Sequence, residues 1–164
     1  MTKSKGKMAV LMIGCPGAGK SYVAKKIIKE DIEKGIEYTV INPDLEKERK
    51  TDYDPKNPQV HHEWSKEESN KKLLKGLQEG KNLLIDKTGT NVYKYSSLIN
   101  TLKFKGYYTK LVYVKVPLLV ALERNKKRSR TVPENIVVDK YCSTDDAFKI
   151  LSAFVDEELT IMNG

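Results

Sequence analysis

Short, largely apolar stretches recur along this chain, and each is followed by a longer segment with apolar and charged residues at helical spacing. The apolar stretches have the length of buried parallel strands and cover residues 8–13, 37–41, 82–86 and 107–116. Strands that alternate with helices predict a parallel sheet with helices on both faces. We therefore expect an α/β fold with a doubly wound parallel sheet.

The segments between these strands predict the helices. The first helix carries an apolar stripe that begins at Val23 and Ala24, and Gly35 marks its end. The remaining helices are predicted at residues 43–50, 64–78, 91–105, 133–142 and 144–160, and one more begins at Pro117 and runs into the arginine-rich segment. In the last one, one apolar face is formed by Ala147, Ile150, Leu151, Phe154, Val155 and Leu159. With 164 residues, the chain is expected to form a single domain over residues 1–164.

Composition excludes some classes of protein. No apolar run approaches the ~20 residues of a membrane span, so no membrane partner is expected. Lysines before residues 8–13 resemble the start of a signal sequence, but this run is shorter than the ~7–15 apolar residues of such a segment. The two cysteines, Cys15 and Cys142, do not suggest a disulfide framework. We expect a reducing compartment and a cytoplasmic location.

The formal net charge is +8 and the pI is near 9.3. Such a basic balance indicates a polyanionic partner, although a solvated lysine-rich surface would give the same composition. Arginine is rare in the chain, yet three arginines crowd into one short segment, at Arg124, Arg128 and Arg130. This placement suggests a site that needs the planar, bidentate guanidinium group.

The strongest chemical motif follows the first strand. Residues 14–21 have the pattern G-x-x-x-x-G-K-S of a phosphate-binding P-loop, between a predicted strand and a predicted helix. A merely glycine-rich turn is the structural alternative. We expect the loop to hold a nucleoside triphosphate, with Lys20 on its outer phosphates and Ser21 on the bridging Mg²⁺. The ATP-binding residues would be Gly14, Cys15, Pro16, Gly17, Ala18, Gly19, Lys20 and Ser21.

Two aspartates follow other predicted strands, and the carboxyl ends of parallel strands meet at one edge of the sheet. Asp86 closes an apolar strand, as a magnesium-organising carboxylate of P-loop enzymes does, although a turn or helix-capping role is the alternative. Asp44 is a candidate general base for a substrate hydroxyl, and its alternative is a helix cap after Pro43.

The arginine-rich segment is predicted to form a lid over approximately residues 124–132. On a continuous helix, Arg124, Lys127 and Arg128 would share one face. Closing these cations over the nucleotide would neutralise charge that develops on the transferred phosphoryl group. A solvated charged surface or a nucleic-acid patch would explain the same residues.

Taken together, these motifs resemble those of the small P-loop kinases that include bacteriophage polynucleotide 5′-hydroxyl kinases and, more distantly, zeta-toxin-like kinases. The resemblance is carried by the Gly-Cys-Pro-Gly-x-Gly-Lys-Ser loop, Ile-Asn-x-Asp at residues 41–44, Asp-x-Thr at 86–88 and the arginine-rich segment. It implies a P-loop kinase fold and spans most of residues 8–142.

The resemblance also implies roles for individual residues. Asp44 would be the general base, and Arg124 and Arg128 would engage the donor phosphates. Asp86 would contact the acceptor as well as, or instead of, the metal. Lys47 stands where the family has an arginine that grips the phosphate of the acceptor, which is a departure from the family pattern. The acceptor-binding residues would be Asp44, Lys47, Asp86, Thr88 and Asn91.

The sequence therefore predicts an ATP- and Mg²⁺-dependent kinase whose acceptor is the 5′-hydroxyl of a polynucleotide. A kinase for a nucleoside, nucleotide or nucleotide sugar would share every donor-side residue and is the first alternative. An ATP-hydrolysing binding module without a phosphate acceptor is the second. No Asn-Lys-x-Asp motif of GTPases is found, because Arg128 stands where the aspartate is needed.

Overall fold

The structure, a computed structural model, describes residues 6–48, 62–87, 89, 91–128 and 131–163, except the side chains of residues 44, 47, 48 and 62. Its strands are β1 (Met8–Ile13), β2 (Tyr38–Ile41), β3 (Asn82–Asp86), β4 (Tyr108–Lys115) and β5 (Glu157–Met162). Its helices are α1 (Lys20–Ile32), α2 (Pro43–Glu48), α3 (His62–Glu79), α4 (Val92–Phe104), α5 (Leu118–Lys127) and α6 (Glu134–Leu151).

The five strands form one parallel sheet in the order β2-β3-β1-β4-β5. β1 lies at the centre, where Met12 is paired with Asp86 of β3 on one side and Val112 of β4 on the other. The chain leaves β1 toward β2 and later crosses from β3 to β4, so the connections switch sides at the boundary between β1 and β3. Ligands of open parallel sheets bind beyond the carboxyl ends of the strands at such a point.

Helices cover both faces of the sheet because the strands alternate their apolar side chains between the two faces. On one face, Leu11 packs in a cluster with Leu73 of α3 and Ile99 of α4. On the other face, Met12 packs in a cluster with Val23 of α1 and Ala121 of α5. The predicted doubly wound α/β fold is confirmed. No helix in the described residues is long and apolar enough to cross a membrane.

The prediction for the C-terminal part of the chain was wrong. A helix over residues 144–160 was predicted, but α6 runs unbroken from Glu134 to Leu151 and a fifth strand follows it. The hydroxyl groups of Ser143 and Thr144, where the break was predicted, donate to carbonyl groups of the preceding turn and so fit within the helix.

The strand β5 is held by residues far away in the sequence. The carboxylate of Asp156 accepts hydrogen bonds from the backbone N–H and the hydroxyl group of Thr109, at 2.8 and 3.0 Å. Glu157 then accepts a hydrogen bond from the Tyr108 hydroxyl at 2.9 Å and pairs with Lys110 at 3.3 Å. Leu159, predicted to face the core from a helix, lies on this edge strand and is 40% exposed.

Candidate active site at the carboxyl edge of the sheet

The loop between β1 and α1 has the backbone geometry of a phosphate-binding turn. Gly17 and Gly19 adopt positive φ angles of 86° and 90°, a region that favours glycine. A Cβ atom on Gly17 would lie 2.2 Å from the carbonyl oxygen of Ala121, so the loop also packs against α5 without space for a side chain. Gly17 is therefore required by both conformation and packing, and Gly19 is required by its conformation.

The loop leaves backbone donors available for an anion. The N–H groups of Gly17 and Gly19 donate no hydrogen bond to any residue that the structure describes, and Gly17 is buried. The helix α1 begins directly afterwards at Lys20, and its first turn contains no acidic residue. Orphan N–H groups at a helix N-terminus attract phosphate, so the loop fits the polyphosphate of ATP.

The cysteine in this loop has a structural role. Burial raises the pKa of the Cys15 thiol, and the nearby Lys20 opposes this effect only in part. Cys15 is buried, Cys142 is exposed, and both are free, as the sequence suggested. The Cys15 side chain is therefore a packed thiol on the α1 face of the sheet rather than a nucleophile.

Two side chains from distant parts of the chain meet at one carbonyl group of the P-loop. Nη1 of Arg124 donates to the carbonyl oxygen of Ala18 at 3.3 Å, and Nδ2 of Asn163 donates to the same oxygen at 3.0 Å. The predicted donor-side arginine Arg124 therefore lies against the P-loop. Asn163 was not among the predicted site residues.

The arginine-rich segment is not one helix. α5 ends at Lys127, and Arg128 has an extended backbone, with φ −80° and ψ 147°. The prediction that Arg124, Lys127 and Arg128 share one helical face was therefore wrong. The reason lies in Asn125, whose buried side-chain amide bonds to the backbone N–H and carbonyl group of Val132 and turns the chain away from the helix. Arg130 lies outside the described residues.

The carboxylate at the end of β3 lies beside the start of the P-loop. Asp86 is 7% exposed and accepts a hydrogen bond at 3.3 Å from Nδ2 of Asn42, which directly follows β2. The buried Tyr95 of α4 donates to the carbonyl oxygen of Met12 at 2.7 Å, and its oxygen lies 3.4 Å from that of Ile85. Burial and the charge of Asp86 raise the pKa of the Tyr95 hydroxyl. Tyr95 thus ties together the strand ends that carry the site.

A cavity of about 580 Å³ opens next to Asp86 on the side of α3 and α4. The predicted acceptor residues Asp86 and Asn91 both line it, together with Asn42. Asn91 is also the N-cap of α4, where its Oδ1 accepts from the backbone N–H of Lys94 at 3.1 Å. The volume is that of a site for a small molecule or one nucleotide.

Three lysines line the same cavity, and none was predicted. They are Lys66 of α3, Lys87 directly after β3, and Lys94 in the first turn of α4. Burial lowers the pKa of the Lys87 ammonium group, and the charges of Lys66 and Lys94 lower it further. In the sequence, the three lysines lie far from one another and look like the other lysines of this basic chain. Only the fold brings them together.

Several predicted residues lie where the structure describes little or nothing. Asp44 is in the first turn of α2, next to Pro43, which lines the cavity, but its side chain is outside the described residues. The side chain of Lys47 and the whole of Thr88 are outside them too. The roles predicted for these three residues stay predictions.

The described residues fit a magnesium ion that arrives with a nucleotide. Among them, no group of three or more His, Cys, Asp or Glu side chains is placed to hold a metal by itself. Magnesium in phosphate-transfer sites takes one or two protein oxygens and completes its shell with phosphates and water. Ser21 in the first turn of α1 and Asp86 supply oxygens of this kind at the same edge of the sheet.

The chain matches the model of a protein family described as an AAA domain over residues 10–141. It is also similar to the L-seryl-tRNA(Sec) kinase of Methanococcus maripaludis, with 25% identity over 134 residues. That alignment covers 82% of this chain and 51% of the relative, so the chain spans about half the length of the relative.

Solved structures with the same fold include a chain of the PezAT chromosomal toxin-antitoxin system of Streptococcus pneumoniae. Its TM-score is 0.71 at 20% identity, covering 98% of this chain and 70% of that one. A chain of the Pnkp1/Rnl/Hen1 RNA repair complex has a TM-score of 0.70 at 14% identity, with coverages of 90% and 47%.

A similar fold is found in the deoxyadenosine kinase from M. mycoides with bound dATP. Its TM-score is 0.61 at 18% identity, and the likeness covers 95% of this chain and 91% of the kinase. The family match over residues 10–141 agrees with the phosphate-binding loop and with the five-stranded parallel sheet. The chain belongs to this AAA domain family and has the fold of a P-loop kinase.

Proposed function

We propose that this chain is an ATP- and Mg²⁺-dependent kinase that transfers the γ-phosphoryl group to a hydroxyl group, with the 5′-hydroxyl of a polynucleotide as the favoured acceptor. The observation that carries the proposal is the position of Asp86. This buried carboxylate pairs in the sheet with Met12, two residues before the P-loop, and also lines the cavity beside it. A donor loop and an acceptor cavity therefore share one carboxylate.

On the donor side, the N–H groups of Gly17 and Gly19 would bind phosphate oxygens, with Lys20 on the outer phosphates. Ser21 and Asp86 would hold Mg²⁺, which supplies charge neutralisation for the phosphates when it is bound. Arg124 already lies at the P-loop through its contact with Ala18, and its fixed positive charge would stabilise negative charge on the transferred group.

On the acceptor side, the hydroxyl oxygen of the substrate would attack the γ-phosphorus. A new P–O bond forms, the bond between the γ-phosphorus and the bridging oxygen breaks, and ADP leaves. The hydroxyl proton would pass to the carboxylate of Asp44, the general base in this proposal. Asp86, Asn91, Thr88 and Lys47 would hold the acceptor.

A nucleic-acid acceptor is supported by charge and by two of the similar proteins. The formal net charge of +8 favours encounter with a polyanion. One similar protein is named as a kinase of seryl-tRNA, and another is a chain of an RNA repair complex. Phosphate contacts would supply most of the affinity for a polynucleotide and would make it fall with salt.

A small-molecule acceptor is the second candidate. The cavity of about 580 Å³ is of the size that encloses a small ligand, and a deoxyadenosine kinase has a similar fold. In this case the same residues would bind the donor, and the γ-phosphoryl group would be transferred to a nucleoside, nucleotide or nucleotide sugar. The Cys15 thiol within the P-loop is free and buried. This agrees with either kinase function in a reducing compartment such as the cytoplasm.

The experiment is a transfer screen with γ-labelled ATP and Mg²⁺ across 5′-hydroxyl oligonucleotides, nucleosides, nucleotides and nucleotide sugars. The favoured function predicts label on the oligonucleotide and strong inhibition between about 50 and 200 mM salt. Label on a small molecule only, with weak salt dependence, would select the second candidate. Acceptor-independent release of inorganic phosphate would instead indicate an ATP-hydrolysing binding module.

A further inference from the structure

The cavity beside Asp86 brings together three cations from three separate elements. Lys66 belongs to α3, Lys87 follows β3, and Lys94 lies in the first turn of α4. Lys87 and Lys66 are partly buried, so these positive charges are not simply dispersed on an open surface. We call these residues the lysine triad.

The lysine triad has no direct ion-pair partner among the described residues, and the one carboxylate among the described residues that line the cavity, Asp86, faces three lysines. The ammonium groups of Lys66, Lys87 and Lys94 form no hydrogen bond and no ion pair with any residue that the structure describes. Other partly buried lysines do find carboxylates, such as Lys72 with Glu46 at 3.7 Å and Lys110 with Glu157 at 3.3 Å. Three like charges that converge on one cavity with a single carboxylate leave an excess of positive charge and repel each other, and a bound anion would reduce this repulsion.

The helix α4 adds to the same positive potential. Its first turn carries Lys94, and its N-cap Asn91 also lines the cavity, so the N-terminus of a 13-residue helix lies at the wall of the site. The aligned peptide dipoles place partial positive charge at this end. The first turn contains no acidic residue that would cancel it.

We propose that the lysine triad binds a phosphate group carried by the acceptor, so that the substrate is a phosphate ester that also bears the hydroxyl group to be phosphorylated. This inference rests on the proposed kinase function and names its substrate class. Two sources share this chemistry: the phosphate on the 3′ side of a polynucleotide's terminal 5′-hydroxyl nucleotide, and the diphosphate of a nucleotide sugar. An uncharged nucleoside lacks this group.

Binding can be measured without turnover. The P-loop is first saturated with a non-hydrolysable ATP analogue and Mg²⁺, and calorimetry then compares each nucleoside 3′-monophosphate with the matching nucleoside, and a nucleotide sugar with its free sugar. We expect the phosphate esters to bind about tenfold or more tightly. If no phosphate ester binds more tightly than its phosphate-free counterpart, the inference is wrong.

Variants assign the effect to the lysine triad. Lys66→Gln, Lys87→Gln and Lys94→Gln should each weaken binding of the phosphate ester by about tenfold and leave binding of the phosphate-free counterpart unchanged. The matched control is Lys75→Gln, an exposed lysine of α3 outside the cavity, which should bind like the wild type. Loss of one of three like charges should not lower the melting temperature. Unchanged binding in all three triad variants would overturn the inference.

Transfer kinetics with γ-labelled ATP then distinguishes a polynucleotide from a nucleotide sugar as the source of the bound phosphate. The same kinetics tests the phosphate site and the kinase function separately. A rise in KM of the triad variants for a 5′-hydroxyl oligonucleotide selects the polynucleotide, and a rise for the nucleotide sugar selects the small molecule. Transfer that does not depend on a phosphate in the acceptor would remove this inference and keep the kinase. Phosphate-dependent binding without transfer to any acceptor would remove the kinase and keep the anion site.

Discussion

The side-chain amide of Asn163 donates a hydrogen bond of 3.0 Å to the carbonyl oxygen of Ala18, and so joins the residue after β5 to the phosphate-binding loop. The backbone N–H of Asn163 is itself fixed, because it donates to the carbonyl oxygen of Lys115 at 2.8 Å. A Cβ atom on Gly19 would lie 2.1 Å from Nδ2 of Asn163, which shows how closely the two segments pack. β5 therefore helps to hold the P-loop in its conformation.

Replacing Asn163 by alanine should loosen the P-loop. A hydrogen bond of this kind contributes about 1 kcal/mol, so Asn163→Ala should weaken ATP binding by about fivefold. Nucleotide affinity is measured by calorimetry, and the melting temperature is recorded alongside. The control is Met162→Ala, since the Met162 side chain is 66% exposed on the same strand. Equal ATP affinity in Asn163→Ala and the wild type would show that the contact does not support the loop.

The planar shape of the Arg124 guanidinium group, and not its charge alone, should contribute to catalysis. Its Nη1 lies 3.3 Å from the carbonyl oxygen of Ala18, which places a planar donor group against the P-loop. Arg124→Lys keeps the charge but loses the planar fork, so kcat should fall by about 10- to 100-fold. Steady-state kinetics checks this value against Lys126→Gln, an exposed position on the same helix. Unchanged kcat in Arg124→Lys would remove Arg124 from the proposed transition-state contacts.

The proposed base is tested by an isosteric change. Asp44→Asn removes the proton acceptor, so kcat should fall by about 100-fold or more while ATP affinity stays nearly the same. Single-turnover transfer and nucleotide binding separate the two effects. Asp139→Asn, the same substitution at an exposed position of α6, is the control. Full activity of Asp44→Asn would show that another group accepts the proton.

Structural features could be predicted from the sequence where the residues that determine them are adjacent in the chain. The strand and the helix on either side of the P-loop were predicted correctly because a strand, a glycine-rich turn and a helix follow each other within residues 8–32. The end of β3 at Asp86 was predicted for the same reason. These segments carry their structural signals in adjacent residues, so apolar runs and glycine positions were sufficient.

Features that depend on distant partners were not predicted. β5 was taken for part of a helix because its apolar residues follow those of α6 in a compatible spacing, whereas its actual partners lie on β4. Asn163 at the P-loop follows from that strand and was missed with it. The lysine triad was missed because its three members look like the other lysines of a basic chain until α3, β3 and α4 converge.

Tyr95 offers a test of how the strand ends are held together. Its buried hydroxyl donates to the carbonyl oxygen of Met12 at 2.7 Å. Tyr95→Phe keeps the ring but leaves this carbonyl group without its donor. The free energy of unfolding should therefore fall by about 1–2 kcal/mol. Urea unfolding measures the change, and Tyr93→Phe, at a side chain that is 81% exposed on the same helix, is the control. Equal stabilities of the two variants would show that the buried bond contributes little.

The most direct test of the kinase proposal follows the γ-phosphate of labelled ATP in the wild type and in Lys20→Ala, with Mg²⁺ and each class of acceptor. We expect label to appear on a hydroxyl acceptor, and Lys20→Ala to lower this transfer by about 100-fold or more without loss of folding. The kinase proposal would be contradicted if no acceptor became labelled, or if Lys20→Ala transferred the label as fast as the wild type.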